Sequence, residues 1–352
     1  MNTSNTSASR ESNDFIALNP QWLALRTEAV LAPDLPIVDP HHHLWDHDGD
    51  RYLMPELLLD TGGGHKVLST VFVECRAMYR ADGPEEMKSL GETEFVNGIA
   101  AMSASGAYGP TRIGAGIVGN VDLRLGARAE IPLQAHITAA GGRFRGIRRG
   151  SAWHPAGLKV TSANPPPGLL MQPEFRAGFA LLARLGLSFD AWLVHTQINE
   201  IIDLARAFPD TTIVLDHVGG PLGIGPYAGK REEVFAVWRQ SIRQLASCAN
   251  VCVKIGGLGM HTMGLDFHTR DLPPSSEELA QAWRPYVETA IECFGANRAM
   301  FESNFPVDKG SCSYTTLWNA FKRLTAGCSA DDKTALFSGT ASKVYRLDAT
   351  AA

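Results

Sequence analysis

The chain has 352 residues, 45% of them hydrophobic and 20% charged, with a formal net charge of -5. That balance excludes a global electrostatic drive toward nucleic acid or an anionic membrane, although clustered basic residues can still hold a small anion. The apolar content suffices for a large core, and the length suits one α/β barrel as well as two smaller domains.

Residues 1–14 are rich in Ser, Thr and Asn and lack the apolar centre of a signal peptide, and no apolar run reaches membrane-spanning length. Cys75, Cys248, Cys252, Cys293, Cys312 and Cys328 are too dispersed for a disulfide-stapled small domain or a zinc ribbon. The expectation is a cytoplasmic protein with an N-terminal tail over 1–34 and one folded domain over 35–352. The mixed helical pattern of Asn19 to Thr27 suits a cover for the bottom of that domain.

From Leu35 onward, short β-branched and apolar runs alternate with longer segments of helical composition. The first half supplies strands at Ile37 to His43, Val67 to Glu74, Ile113 to Val121 and Phe144 to Ile147, with helices at Glu92 to Ser103 and Glu130 to Ala140. The second half supplies strands at Ser188 to Val194, Thr212 to Asp216, Val251 to Ile255 and Ala299 to Phe301. Its helices are Glu174 to Leu185, Ile198 to Ala207, Glu232 to Ala246, Glu277 to Phe294 and Thr315 to Thr325. Strands that are apolar without strict alternation belong to a parallel sheet covered by helices. Eight such units predict an α/β fold, a single (β/α)8 TIM barrel. Long loops, Asp46 to Lys66, Gly150 to Pro173 and Gly256 to Ser276, follow strands 1, 4 and 7. All leave C-terminal strand ends, where barrel enzymes assemble their sites, and are expected to roof a pocket.

The run Asp39-Pro40-His41-His42-His43 ends strand 1. Residues two apart on a strand share a face, so His41 and His43 converge while His42 points elsewhere. Such a pair can ligate zinc or another transition metal, or hold a carbonyl or carboxylate. His195 follows strand 5 and His217 follows strand 6, so closure of the barrel would gather all four around one cavity. Acidic candidates are Glu74 after strand 2, Asp216 beside His217, and Glu302 and Asp308 around strand 8, with Glu302 the stronger geometric choice. Arg145, Arg148 and Arg149 at strand 4 offer guanidiniums able to pair bidentately with a substrate carboxylate, Arg148 first and Arg145 second. Arg76 and Lys254 are further candidates for that electrostatic role, and Glu74 completes the group expected to contact substrate. No phosphate-binding G-x-x-x-x-G-K-[ST] run, dinucleotide fingerprint or stacking platform for nucleic acid is present.

Four segments resemble the amidohydrolase superfamily: Ile37 to Asp46, Phe144 to Arg148, Asp216 to Pro221 and Phe301 to Pro306. The resemblance is to its branch of small-molecule lactonases, which includes pyrone-dicarboxylate lactonase and sugar-acid lactonases such as fuconolactonase. It runs from Leu35 to near the C-terminus. It implies His41 and His43 as the strand 1 pair, His195 at the strand 5 position with Gln197 as the alternative inward group, and His217 as the strand 6 histidine. It also implies one divalent metal such as zinc, or none, with His41, His43 and His217 as ligand candidates, because the branch includes enzymes with no required divalent ion.

In that family a strand 8 Asp precedes a Trp-Pro or Phe-Pro pair and serves water activation or metal binding; the matching residue is Asn304. An amide is neither a general base nor a good anionic ligand. Glu302 or Asp308 then supplies the carboxylate, a histidine activates water, or the reaction has changed. The implied function is hydrolysis of a lactone or related cyclic ester carrying a carboxylate, in small-molecule catabolism. The expected partners are that substrate and further copies of the chain, with no nucleic acid and no membrane. Non-hydrolytic decarboxylation of an aromatic acid and a catalytically silent metabolite-binding barrel are the alternatives.

Overall fold

The computed structural model describes residues 15–47, 50–161 and 163–347; the polar run at residues 1–14 lies outside them. Eight strands join in chain order into one sheet. They are β1 Ile37–His42, β2 Val67–Val73, β3 Arg112–Gly119, β4 Phe144–Arg148, β5 Ser188–Ala191, β6 Ile213–Leu215, β7 Val251–Ile255 and β8 Ala299–Phe301. Each consecutive pair is parallel. The ring closes just past β8, where His43 N donates to Phe305 O at 2.8 Å and Asn304 N donates to His41 O at 2.9 Å. This is the expected (β/α)8 barrel.

Alternation along the short strands divides their side chains between two cores. Ile213, Leu215, Val251, Val253, Ile255 and Phe301 join the large core shared with the covering helices, which includes Trp238, Trp283 and Phe321. Val38, Val71, Val214, Cys252 and Met300 pack together inside the barrel, against Tyr345 and Leu347, which follow a helical turn at Thr340–Val344. The seven helices expected from composition are present at Leu90–Ala104, Glu130–Ala139, Pro173–Arg184, Ile198–Ala207, Arg231–Ala246, Ser276–Phe294 and Tyr314–Leu324.

Three features differ from the sequence reading. The loop after β1 folds into a short hairpin, Trp45–His47 with Asp50–Tyr52, and a helix at Met54–Thr61. Helical turns over Ala330–Thr334, Ala335–Gly339 and Thr340–Val344 bring Tyr345 and Leu347 under the sheet. Those two residues fill the place expected for Asn19 to Thr27. The N-terminal segment instead runs along the outside of the last barrel helix, with Lys322 Nζ donating to Leu31 O and Leu31 N donating to Asn319 Oδ1, both at 2.8 Å. At its other end it reaches the mouth of the barrel, because Phe15 and Ile16 line the central cavity.

Candidate active site

One strand step above the apolar inner layer, the same inward positions turn polar. Val214 is succeeded by Asp216, Cys252 by Lys254 and Met300 by Glu302, Asp190 of β5 joins the same layer, and all four of these polar residues are fully buried. On β1, a register shift between Asp39 and His42 resets the phase, so that both Val38 and His41 serve the interior. His42 leaves the cavity, bonding Thr70 Oγ1 through Nε2 at 2.8 Å. His217 and Val218 have φ of 53° and 49°, a conformation costly for a β-branched residue. Gly257 accommodates this turn, since a Cβ there would stand 2.6 Å from the His217 Cβ. Gly256 does the same for Glu302, whose Cγ would be 2.3 Å from an added Cβ.

Glu302 stands between two histidines. Its Oε1 accepts from His217 Nδ1 at 2.7 Å and from His217 N at 3.2 Å, while Oε2 lies 2.8 Å from His41 Nδ1. One potential ligand atom from each of His41, His217 and Glu302 falls within 4.8 Å of the others. Burial pushes the Glu302 carboxyl up, but His217 and His41 outweigh it and hold the group well below the usual carboxylate range. Burial, and then Lys254, push His41 well below its ordinary value, toward the neutral imidazole that ligates metals.

The donor set fits a cation on a further observation. Both oxygens of Asp216 and Oε2 of Glu302 are buried without a hydrogen bond of normal geometry, so beyond their ion pairs with Lys254, Arg148 and His41 they keep lone pairs that suit a cation. His41, His217 and Glu302 therefore form a cluster positioned to coordinate a single divalent metal ion. His43, expected in that set, lies beside it: Nδ1 hydrogen-bonds Val73 O at 2.8 Å and its ring stands edge-on to His41, centroids 4.9 Å apart.

Two buried cations brace the cluster. Lys254 Nζ lies 2.7 Å from Asp190 Oδ2, 3.2 Å from Asp216 Oδ1 and 3.2 Å from His41 Nδ1. Tyr345 OH donates to the same Asp190 oxygen at 2.6 Å. Burial disfavours the Lys254 charge, yet Asp190 and Asp216 overcome it and raise its pKa. Lys254 is thus beneath the cluster and off the cavity wall, where the sequence reading had it anchoring substrate. Arg148 Nε donates to Glu74 Oε1 at 3.0 Å, a further guanidinium nitrogen bonds Glu74 O, and Nη1 lies 3.3 Å from His41 Nε2.

Above lies a cavity of about 640 Å³. Glu74, Arg148, His43, His217 and Asn304 line its depth, and Arg76, exposed, lines its rim. Trp45, Trp153 and Trp192 supply aromatic wall, Trp192 meeting His217 edge-on with centroids 5.0 Å apart. Asn304 Nδ2 donates to Asp308 Oδ1 at 3.0 Å, and Asp308 Oδ2 accepts from Gly259 N at 3.0 Å. Asp308 is fully buried behind that amide, and burial pushes its carboxyl up to about 7.

Three residues expected at the site lie elsewhere. β5 ends at Ala191, so His195 sits four residues beyond the sheet, against Tyr227, with Nδ1 accepting from Leu222 N at 3.3 Å. Gln197 also turns away, holding Ser151 O and Trp153 N of the loop after β4. Arg145 bonds Gly142 O at the opposite end of β4 from the cavity. The inward residues here are Asp190 on β5 and Trp192 just past its end, neither of them a candidate from the sequence; the alternation in Phe189-Asp190-Ala191-Trp192 was the available signal.

The family model described as Amidohydrolase matches residues 38–347. The chain belongs to the amidohydrolase family. The uncharacterized protein y4mH of Sinorhizobium fredii is 36% identical, the match covering 89% of this chain and 99% of that one. An L-fucono-1,5-lactonase of Burkholderia ambifaria is 25% identical over 88% of this chain and 96% of its own. A crystal structure of an amidohydrolase from Burkholderia multivorans with bound zinc shares the fold, with a TM-score of 0.67 and 22% identity over 88% of this chain and 99% of that one. The His-His-Glu cluster is typical of catalytic amidohydrolases, and the site is compatible with hydrolytic or decarboxylating chemistry on a small cyclic or aromatic acid. Among the described residues, no helix is long and apolar enough to cross a membrane.

Proposed function

We propose that the protein hydrolyses a lactone, or a related small cyclic ester, that carries a carboxylate. The observation carrying this reading is the convergence of the Arg148 guanidinium with the His43 and His217 imidazoles in one aromatic-walled cavity, His217 being the member of the buried His41–His217–Glu302 cluster that reaches its wall. The named activity of the Burkholderia relatives, opening of a sugar-acid lactone, supports it. A divalent ion held by His41, His217 and Glu302 would supply Lewis acidity toward the ester carbonyl and water.

The chain's own groups divide the remaining work. Trp45 and Trp192 flank a flat ring, and Arg148, fixed in place by Glu74, faces its carboxylate or the developing oxyanion. Burial and then Arg148 keep the pKa of His43 well below its ordinary value, so the ring is neutral. With Nδ1–H donated to Val73 O, Nε2 remains to accept a proton from the attacking water. Glu302 is less suited to that step, because both its oxygens face histidines. As the water oxygen bonds to the acyl carbon and the ring C–O bond breaks, His43 returns its proton to the leaving alkoxide. Asn304, its Nδ2 tied to Asp308, offers Oδ1 to orient the water.

The test is turnover of five- and six-membered lactones, with and without a carboxylate, by zinc- or manganese-loaded and chelated protein. Ring opening is read as acid release and as a product heavier by one water. His43→Ala should lower kcat by about 10²–10⁴-fold. Release of CO₂ from an aromatic acid, with no lactone opened, would overturn the reading in favour of decarboxylation.

A further inference from the structure

The segment before β1 lies outside the 38–347 span of the family match, yet Phe15 and Ile16 line the cavity. Phe15 stacks on Trp45 with centroids 5.9 Å apart and planes at 21°, and Trp45 stacks on His43 at 5.9 Å and 18°. A continuous stack thus joins the N-terminal segment to the histidine assigned as proton acceptor. Ile16 is seated against Gly310, where an added Cβ would stand 2.6 Å from the Ile16 Cβ, just past Asp308. Farther along, Trp22 Nε1 donates to Arg270 O at 2.8 Å, and Glu28 Oε1 accepts from Ser276 N at 2.6 Å. These bonds, with those of Leu31, fasten the segment as a strap from mouth to base.

The cavity wall mixes apolar and polar groups, and its cations and the strap stand at different strand ends. Trp45 follows β1, Met260 follows β7 and Val307 follows β8, three adjacent strands of the ring, and the strap adds Phe15 and Ile16 there. Arg76 follows β2, and Arg148 and Lys159 come from the end of β4 and its loop. On the strap's side Phe15, Ile16, Trp45, Met260 and Val307 offer apolar surface, beside His47, Asp50, His261 and Thr262, that would remove an apolar substituent from water.

We propose that the strap is a specificity element: Phe15 and Ile16 complete an apolar collar that receives an alkyl or aryl substituent of a cyclic acid whose carboxylate faces Arg148. This rests on the cavity being the substrate site, and is independent of whether the reaction is ring opening. Calorimetric titration of the full-length protein with benzoate and with 4-butylbenzoate reads it directly. The wild type should bind 4-butylbenzoate about tenfold or more tighter than benzoate, the scale of apolar discrimination in a pocket.

In the Phe15→Ala, Ile16→Ala double variant that preference should fall to about twofold or less, and the conservative Phe15→Leu, Ile16→Val pair should restore most of it. Should the alanine variant not fold, as judged by circular dichroism, Phe15→Arg keeps the Trp22 and Glu28 fastenings and must weaken 4-butylbenzoate more than benzoate. An undiminished butyl preference in these variants overturns the proposal. So does a wild type that binds both acids equally or neither. Failure of the lactone assays leaves this measurement intact, and loss of the butyl preference leaves ring opening intact, so the two readings fail separately.

Discussion

Two layers of the barrel interior, one strand step apart, are built from the same strands and do opposite things. Val214, Cys252 and Met300 form an apolar plug with Tyr345. Two residues later Asp216, Lys254 and Glu302 form a buried ionic lattice joined by His41. The lower layer keeps water from the underside of the upper, so charges there interact through a poorly screening medium and each depends on its partners. The difference teaches that depth along an inward-facing row, rather than the strand itself, separates core from chemistry in this barrel.

The sharpest way to break the comparison is to make the upper layer apolar at one position. Lys254→Met removes the cation facing Asp190 and Asp216 and should destabilise the fold by about 3–5 kcal/mol in urea unfolding. An unchanged midpoint would mean that the lattice does not depend on its charges. Next in size, Glu302→Gln keeps the shape and removes the anion between His41 and His217. Zinc affinity measured by calorimetry should fall at least about a hundredfold, beyond the loss typical for a group that merely orients a ligand. Retained affinity would exclude Glu302 from the ligand set.

Glu92 sharpens the contrast, because it is a buried carboxyl whose hydrogen-bond donors are uncharged. Its Oε1 accepts from Cys75 N at 3.0 Å and Ala77 N at 2.8 Å, and burial, with Glu74 nearby, raises it from 4.5 to about 8. The folded state therefore binds more protons than the unfolded one between those values, and stability should decline as pH rises through that window. Glu92→Gln keeps an acceptor oxygen and should flatten the decline by roughly 1–3 kcal/mol between pH 5 and pH 8; an unaltered slope would assign it to other groups. The smallest effect belongs to the lower layer. Met300→Leu, similar in size, should cost less than about 1.5 kcal/mol and leave zinc affinity unchanged, whereas the equally isosteric Glu302→Gln should not be tolerated as a metal ligand.

Much of the barrel was legible because a parallel sheet buried on both faces leaves apolar runs that helical segments separate. The strand ends were less so. Extending strand 5 to Val194 put His195 at a site it does not reach, since the sheet stops at Ala191 and a turn follows. That extension also hid Asp190 and Trp192. Period-2 reasoning did place His41 and His43 together, but could not show that a backbone carbonyl, Val73 O, occupies Nδ1 of His43 while Glu302 takes Nδ1 of His41.

By itself the sequence determined the order of eight strands, the gathering of His41, His43, His217 and Glu302 near one end of the barrel, and the amide at Asn304, because these follow from local pattern and residue chemistry. Only the tertiary structure decided which three form the metal cluster, that Lys254 is locked under it, and that Phe15 and Ile16 reach the cavity from far along the chain. Those outcomes depend on register, on a phase shift at Asp39, and on which partner lies within 3 to 4 Å of each buried charge. Distances of that kind exist only once the ring has closed.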